Sequence, residues 1–199
     1  VGIGPSSSHT MGPWKAVQNS LGDFLAHRQV NEISEIRVEL FGSLAKTGKG
    51  HGTDIAVMLA LRGDDYATVD TTRIRQYVDE IRESGLLCLQ GGATIPFAPE
   101  EHILFNQKQR RSFHPNALTV HYHTHAGKNY RDTWYSIGGG FVVRGVVKNR
   151  DTVMLPFPIH SAADILQWCH REKKAVSDIV FENEQSWRSA TDIRAGLLQ

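Results

Sequence analysis

Two stretches of the chain alternate apolar and polar residues too strictly to be anything but half-buried strands. In the first, Ile36, Val38 and Leu40 are separated by Arg37 and Glu39; in the second, Leu118, Val120 and Tyr122 repeat the period. Successive side chains of a strand point to opposite faces, so this period gives one face to a core and leaves the other polar. A sheet with one apolar face needs a second layer to cover it. Trp14, Val17, Leu21, Phe24 and Leu25 recur at helical spacing after Pro13, and residues 55–61 form an apolar run of a second, buried helix. Ile74, Tyr77, Val78 and Ile81 share one face of a helix predicted over 71–84, with Gly85 just past its end. Residues 130–137 are expected to pair with the second alternating strand across a turn at Ala126-Gly127-Lys128. Residues 102–105 and 141–147 read as further strands, and Gly91-Gly92, Pro96 and Pro99 as turns. The class is α+β.

Pro156-Phe157-Pro158 punctuates the chain, and the composition turns helical beyond it. Ser161 is expected to cap a helix containing Ala162, Ile165, Leu166 and Cys169, with Asp164 in the capping-box place, and Ser177 to open another through Ile179, Val180 and Trp187. The predicted division is a domain over 1–155 and a helical extension over 156–199. With 22 basic and 21 acidic residues and a net charge of +1, the chain has no electrostatic footprint for nucleic acid or an anionic membrane. No apolar run approaches the roughly 20 residues of a membrane span, and no signal-like segment opens the chain, so a cytoplasmic protein is expected. Cys88 and Cys169 stand far apart in apolar surroundings, which predicts reduced structural thiols.

The chemistry concentrates in Gly4-Pro5-Ser6-Ser7-Ser8-His9-Thr10-Met11-Gly12-Pro13. The run is too polar and interrupted to read as helix or strand, and is predicted to be a loop that delivers hydroxyls and an imidazole to the N-terminus of the following helix. Free N–H groups and the helix dipole there favour an anion or a carboxylate. The plainer reading is an ordinary Ser/Thr cap with proline near the first turn. His51 lies among the glycines of Thr47-Gly48-Lys49-Gly50-His51-Gly52-Thr53, where backbone can approach a ligand and an imidazole titrating near neutrality can accept a proton; alternatively it only packs. The surrounding Gly-rich segment reads as a loop. Lys49 offers a charge for a carboxylate, unless it is simply solvated. Gly138-Gly139-Gly140 is either a flexible turn or a place where backbone amides line a pocket. His121, His123 and His125 recur at strand spacing and are a weak candidate for a metal site, with no nearby carboxylate evident as a fourth ligand and an exposed polar strand face as the preferred reading.

Residues 2–13 resemble the opening of the β domain or β chain of the iron-sulfur-dependent bacterial L-serine dehydratases (L-serine ammonia-lyases). Residues 41–54 resemble that family's second signature, and Tyr135-Ser136-Ile137-Gly138-Gly139-Gly140-Phe141 its third. The resemblance implies an α/β sandwich with a mixed sheet, similar to the allosteric substrate-binding domain of D-3-phosphoglycerate dehydrogenase. It also implies conversion of L-serine to pyruvate and ammonia through an aminoacrylate intermediate, by α-proton abstraction and Lewis-acid-assisted loss of the hydroxyl. His51 would be the base and His9 its catalytic neighbour. Ser6, Ser7, Ser8, Thr10, Lys49, Gly50, Asn116, Gly138 and Gly139 would bind substrate; Asn116 stands in a stretch, His114-Pro115-Asn116-Ala117, that matches the family only in part. A 4Fe-4S cluster would be held by cysteines of an α domain or subunit absent from this chain, since two cysteines are too few. The expected partners are L-serine, that α portion and a second copy in a homodimer. Because Val1 is not a start methionine and residues 192–199 read as a helix or linker cut short, the expectation is a piece of a longer chain, or else a separate β chain. The runner-up is a non-catalytic regulatory module binding serine or another small anion, and a metallohydrolase built on the histidine strand is a third reading.

Overall fold

A computed structural model describes residues 6–90, 92–145 and 154–197. The chain divides into two compact units, Val1–Val147 and Lys148–Gln199. In the first unit, the alternating stretches become strands β1 (Ile33–Phe41) and β5 (Asn116–Thr124), and they are neighbours, joined antiparallel with Val38 opposite Val120 and Leu40 opposite Leu118. The short elements between them are α2 (Gly42–Thr47), α3 (Thr53–Arg62), α4 (Ile74–Ser84), β2 (Leu86–Cys88), β3 (Thr94–Pro96), α5 (Pro99–His102) and β4 (Ile103–Asn106). Helix α1 (Gly12–Leu25) precedes β1, and β6 (Asn129–Gly138) and β7 (Phe141–Arg144) follow β5. The sheet runs β4-β1-β5-β6-β7; β4 lies parallel to β1 and the other pairs are antiparallel, so the sheet is mixed. β2 and β3 make a separate ribbon.

One face of the sheet carries Ile36, Val38, Leu40, Leu118, Val120, Tyr122 and Trp134, and these join Trp14, Val17 and Leu21 of α1 and the buried run of α3 in one core. Fully burying each such aliphatic side chain is worth about 1.5–3 kcal/mol, which is why the period-2 pattern fixes the fold so firmly. The Tyr122 hydroxyl, buried in this layer, meets Ser20 Oγ at 2.8 Å, so no polar group is left stranded there. On the opposite face Phe41, Ala117, Tyr135 and Val143 form a smaller cluster.

Several expectations change. The Gly-rich segment read as a loop is mostly helical: α2 runs into a 3₁₀ turn, Gly48–His51, before α3. Pro96 is not in a turn but in β3, opposite Leu86 in the two-stranded ribbon, where an edge position tolerates the missing N–H. Cys88 is exposed rather than set in an apolar surround. The strand predicted over 141–147 ends at Arg144, and its last two residues lie outside the described ones, as does Gly91.

The second unit contains α6 (Ala162–Glu172), α7 (Val176–Glu184) and α8 (Ala190–Leu197). Ser161 and Asp164 form the expected capping box. Helix α7 opens instead at Ala175, whose N–H donates to the Asp178 carboxylate, and ends before Trp187. The Asn183 side chain clamps Phe157 by both its N–H and its carbonyl, at 2.9 and 2.7 Å, and Phe157 sets its ring against Trp168. No helix among the described residues is long and apolar enough to cross a membrane.

Gly42 joins β1 to α2 at φ +54°, and a Cβ there would lie 2.1 Å from the backbone oxygen of Pro115. Gly50, nearby, has open space around it. Gly42→Ala should therefore lower the unfolding free energy by about 2 kcal/mol or more, and Gly50→Ala by no more than about 0.5 kcal/mol, measured by urea denaturation; equal effects would mean that the Gly42 backbone is free to move away.

Candidate active site: three motifs joined at a π turn

The serine-rich stretch is not a loop. Ser7–Met11 form a single π turn that continues directly into α1. Ser6 caps it, its Oγ accepting from His9 N at 3.1 Å, while Ser6 O accepts from both Thr10 N and Met11 N. Gly12 N donates to Ser7 O. The N–H groups of His9, Thr10, Met11 and Gly12 are thus satisfied within the turn. Pro13 then has no N–H to give to Ser8 O or His9 O, the acceptors one π or α step behind it. Both oxygens are filled from elsewhere in the chain. Ser136 Oγ donates to Ser8 O at 2.8 Å, and Thr53 Oγ1 donates to His9 O. In return Thr10 Oγ1 donates to His51 O at 2.7 Å. Gly12 permits the closest of these approaches, since a Cβ there would fall 1.9 Å from Ser136 Oγ. All three sequence motifs meet at this turn.

Their junction sets two imidazoles side by side, with His9 and His51 ring centroids 5.0 Å apart and tilted by 49°. His9 is held at both nitrogens: Nδ1 lies 2.9 Å from Ser8 Oγ and Nε2 2.9 Å from Ser43 Oγ. The His51 ring makes no hydrogen bond among the described residues and is partly exposed. Burial lowers the His9 pKa below 6.5 and the neighbouring His51 lowers it further, against an opposing contribution from Ser43. His9 is therefore a fixed, neutral ring, and His51 an unengaged one.

The other predicted residues are distributed around this pair. Ser6 caps the turn and Ser7, Ser8 and Thr10 belong to it, Ser7 being exposed. Gly50 sits in the 3₁₀ turn beside His51. Lys49 shares that turn, but its Nζ lies 5.4 Å from the Phe105 ring centroid and lines a groove of about 870 Å³ with Lys46, Arg82, Glu39 and Glu100. Asn116 pairs with Gly42, immediately before Ser43, and its Oδ1 is buried without a partner among the described residues. Gly138, Gly139 and Gly140 all have positive φ and turn β6 into β7; Gly140 comes close to Met11 and Lys15 at the start of α1. The histidine strand does not converge. His121 Nε2 meets Glu39 Oε2 at 3.2 Å, a carboxylate that its own strand did not reveal, and His125 lies beyond the end of β5 with its N–H on Glu32 O. Among the described residues no three His, Cys, Asp or Glu side chains are grouped to hold a metal ion. Sequence reasoning missed Ser43, Thr53 and Ser136. All three stand inside the quoted motifs, but single hydroxyls among glycines and apolar residues carry no periodic signal.

The lowered His9 pKa has a consequence for stability. Between 6.5 and the lower folded value, the unfolded chain binds a proton that the folded chain refuses, so stability falls as pH drops through 6.5. His9→Asn removes this contribution. Denaturation at stepped pH from about 7 to 5 should show a shallower acid-side loss in the variant than in the wild type; parallel curves would mean that His9 titrates alike in both states.

Residues 1–146 match the family described as serine dehydratase beta chain. An L-serine dehydratase of Streptomyces coelicolor is 35% identical over 205 residues, covering 100% of this chain and 45% of that protein. An L-serine dehydratase of Haemophilus influenzae is 37% identical over 192 residues, 92% of this chain and 41% of the relative, and L-serine dehydratase 1 of Escherichia coli is 34% identical over 197 residues, 97% and 43%. The chain spans less than half the length of these relatives. With its three motifs assembled at one turn and its first 146 residues matched throughout, the chain belongs to the serine dehydratase beta chain family.

Proposed function

We propose that the chain is the β portion of an L-serine dehydratase, a lyase that converts L-serine to pyruvate and ammonia. The observation that carries this reading is the histidine pair: one ring locked by two hydroxyls, the other unengaged 5.0 Å away. The α-proton of serine is weakly acidic, and its removal needs a base whose pKa lies near the working pH and whose nitrogen is available. His51 meets the second condition. His9, kept neutral, holds its place beside the imidazolium that His51 becomes and adds no second positive charge. A module that only held an anion would have no use for an unengaged imidazole, which counts against the regulatory reading. We assign Ser6, Ser8, Thr10, Gly50, Asn116, Gly138 and Gly139 to the substrate-binding set, with Ser8 on the His9 ring, Ser6 bonded to His9 N and Thr10 bonded to His51 O.

The residues of this chain do not fit an iron-sulfur cluster. Cys88 lies on β2 and Cys169 on α6, in separate units, and no ligand group accompanies either among the described residues. We place a 4Fe-4S cluster in the α portion, with residues 156–199 leading toward it and the catalytic space at the junction. The rest of the reading is a cytoplasmic homodimer whose β fold is similar to the allosteric substrate-binding domain of D-3-phosphoglycerate dehydrogenase. The mixed sheet with helices on its apolar face supports that likeness.

The test is pyruvate formation from L-serine by the whole enzyme, assembled anaerobically with its α portion. His51→Ala should lower kcat by about 100-fold or more while leaving the thermal melt of the protein unchanged. A wild type that binds serine but forms no pyruvate would replace the lyase with the regulatory module, and full activity in the variant would move the base to another residue.

A further inference from the structure

The hydroxyls around His9 form a chain with a direction. Ser6 Oγ accepts from His9 N at 3.1 Å and lies 3.5 Å from Ser8 Oγ, a pair in which either hydroxyl can donate; in one of the two directions Ser6 gives its hydrogen to Ser8. Ser8 Oγ–H is then turned to the other neighbour it has, His9 Nδ1 at 2.9 Å. A neutral imidazole with an acceptor at Nδ1 carries its single ring proton on Nε2, and that N–H points to Ser43 Oγ at 2.9 Å. The same distances accommodate the reverse chain, with the proton on Nδ1 and Ser43 donating to Nε2; in the direction followed here the sequence of donors ends at Ser43. Its hydroxyl hydrogen has no acceptor among the described residues: Ser43 N is bonded to Pro115 O, and Ser43 O takes the Thr47 hydroxyl. Ser43 is only partly buried, and it stands next to the Gly42–Asn116 pairing that holds the unpartnered Asn116 Oδ1.

We propose that Ser43, as the last member of the chain Ser6–Ser8–His9–Ser43, presents its O–H to a carboxylate oxygen of the bound amino acid. An ammonium group is excluded as its partner because it only donates. Of the acceptors on a hydroxy amino acid, the carboxylate makes the stronger, charge-assisted bond. Polarisation along the chain strengthens the terminal donor, since each hydroxyl that accepts a bond becomes a better donor in turn. This inference rests on the proposed substrate class, but not on turnover.

It is tested by binding to the assembled enzyme, with L-serine and L-serinamide as probes in calorimetric titration. Ser43→Ala should weaken L-serine by about 10- to 100-fold and L-serinamide, which lacks the charged carboxylate, by much less; Ser43→Thr, which restores a hydroxyl, should recover L-serine binding. Unchanged affinity for L-serine in Ser43→Ala, or equal weakening of both probes, overturns the contact. Nitrogen-15 shifts of the His9 ring, identified by their loss in His9→Asn, give a measure that does not depend on the alanine variant folding. A proton on Nε2 is expected, and a proton on Nδ1 reverses the chain and overturns the assignment. A wild type that binds L-serine without forming pyruvate removes the proposed reaction and leaves the Ser43 contact to these binding results.

Discussion

The arrangement depends on a hydrogen that Pro13 does not have. A helix running forward from Ser6 must supply donors for the carbonyls of Ser8 and His9, and proline at this position supplies none. The π turn adds to the need, because Ser6 O gathers two N–H groups and Ser7 O takes Gly12 N, the donor that an α turn would give to Ser8 O. The chain meets it with the Ser136 and Thr53 hydroxyls from β6 and α3, which go to the two carbonyls left over. A buried carbonyl without a partner costs about 1–3 kcal/mol. The two hydroxyls therefore hold the motifs together by satisfying a need created inside the first motif, and the approach of His9 to His51 follows from that.

The sheet explains why the joint can be precise. Ser136 lies on β6, which is fixed against β5, and Asn116 at the start of β5 pairs with Gly42 at the end of β1. Thr53 begins α3, whose apolar run is buried in the same core as α1 and the apolar face of the sheet. Each hydroxyl thus stands at the end of an element positioned by burial, where a shift of an ångström would expose apolar surface. The hydrogen bonds at the turn are individually modest. They act on geometry that the core has already settled.

How much of this was readable from the sequence follows from the range of the forces involved. The strands β1 and β5 were readable because their determinant, a period of two, is local and is enforced by burial across the whole sheet. The cap at Ser161 was readable for the same reason, while the one assigned to Ser177 failed because Asp178 supplies the contact to Ala175 without any capping hydroxyl. Residues 42–51 read as loop because glycines lower helix propensity, yet α2 packs on β4 and β5, and its 3₁₀ continuation packs on α2, α3 and the π turn. The π turn could not be seen at all from its own residues. What selects it over a loop is the supply of hydroxyls from positions 53 and 136, and no pattern in residues 6–13 reports them. His9 and His51 stood out as imidazoles in polar or glycine-rich settings; their pairing, and the contact of His9 with Ser43, are products of the fold.

The choice of hydroxyls, and not charged side chains, around the two imidazoles has its own physical logic. A carboxylate at the Ser43 or Ser8 position would draw a proton onto His9 and raise its pKa. His9 would then be a cation 5.0 Å from His51, and it would oppose a positive charge on that ring. A lysine or arginine there would oppose it directly. Serine orients the ring from both sides without bringing a charge, and burial, joined by the neighbouring His51, lowers its pKa against the smaller opposing contribution of Ser43. The abundance of serine in the first motif is thus tied to the pairing of histidines: a neutral scaffold lets one imidazole be held firmly while its neighbour stays free to change charge.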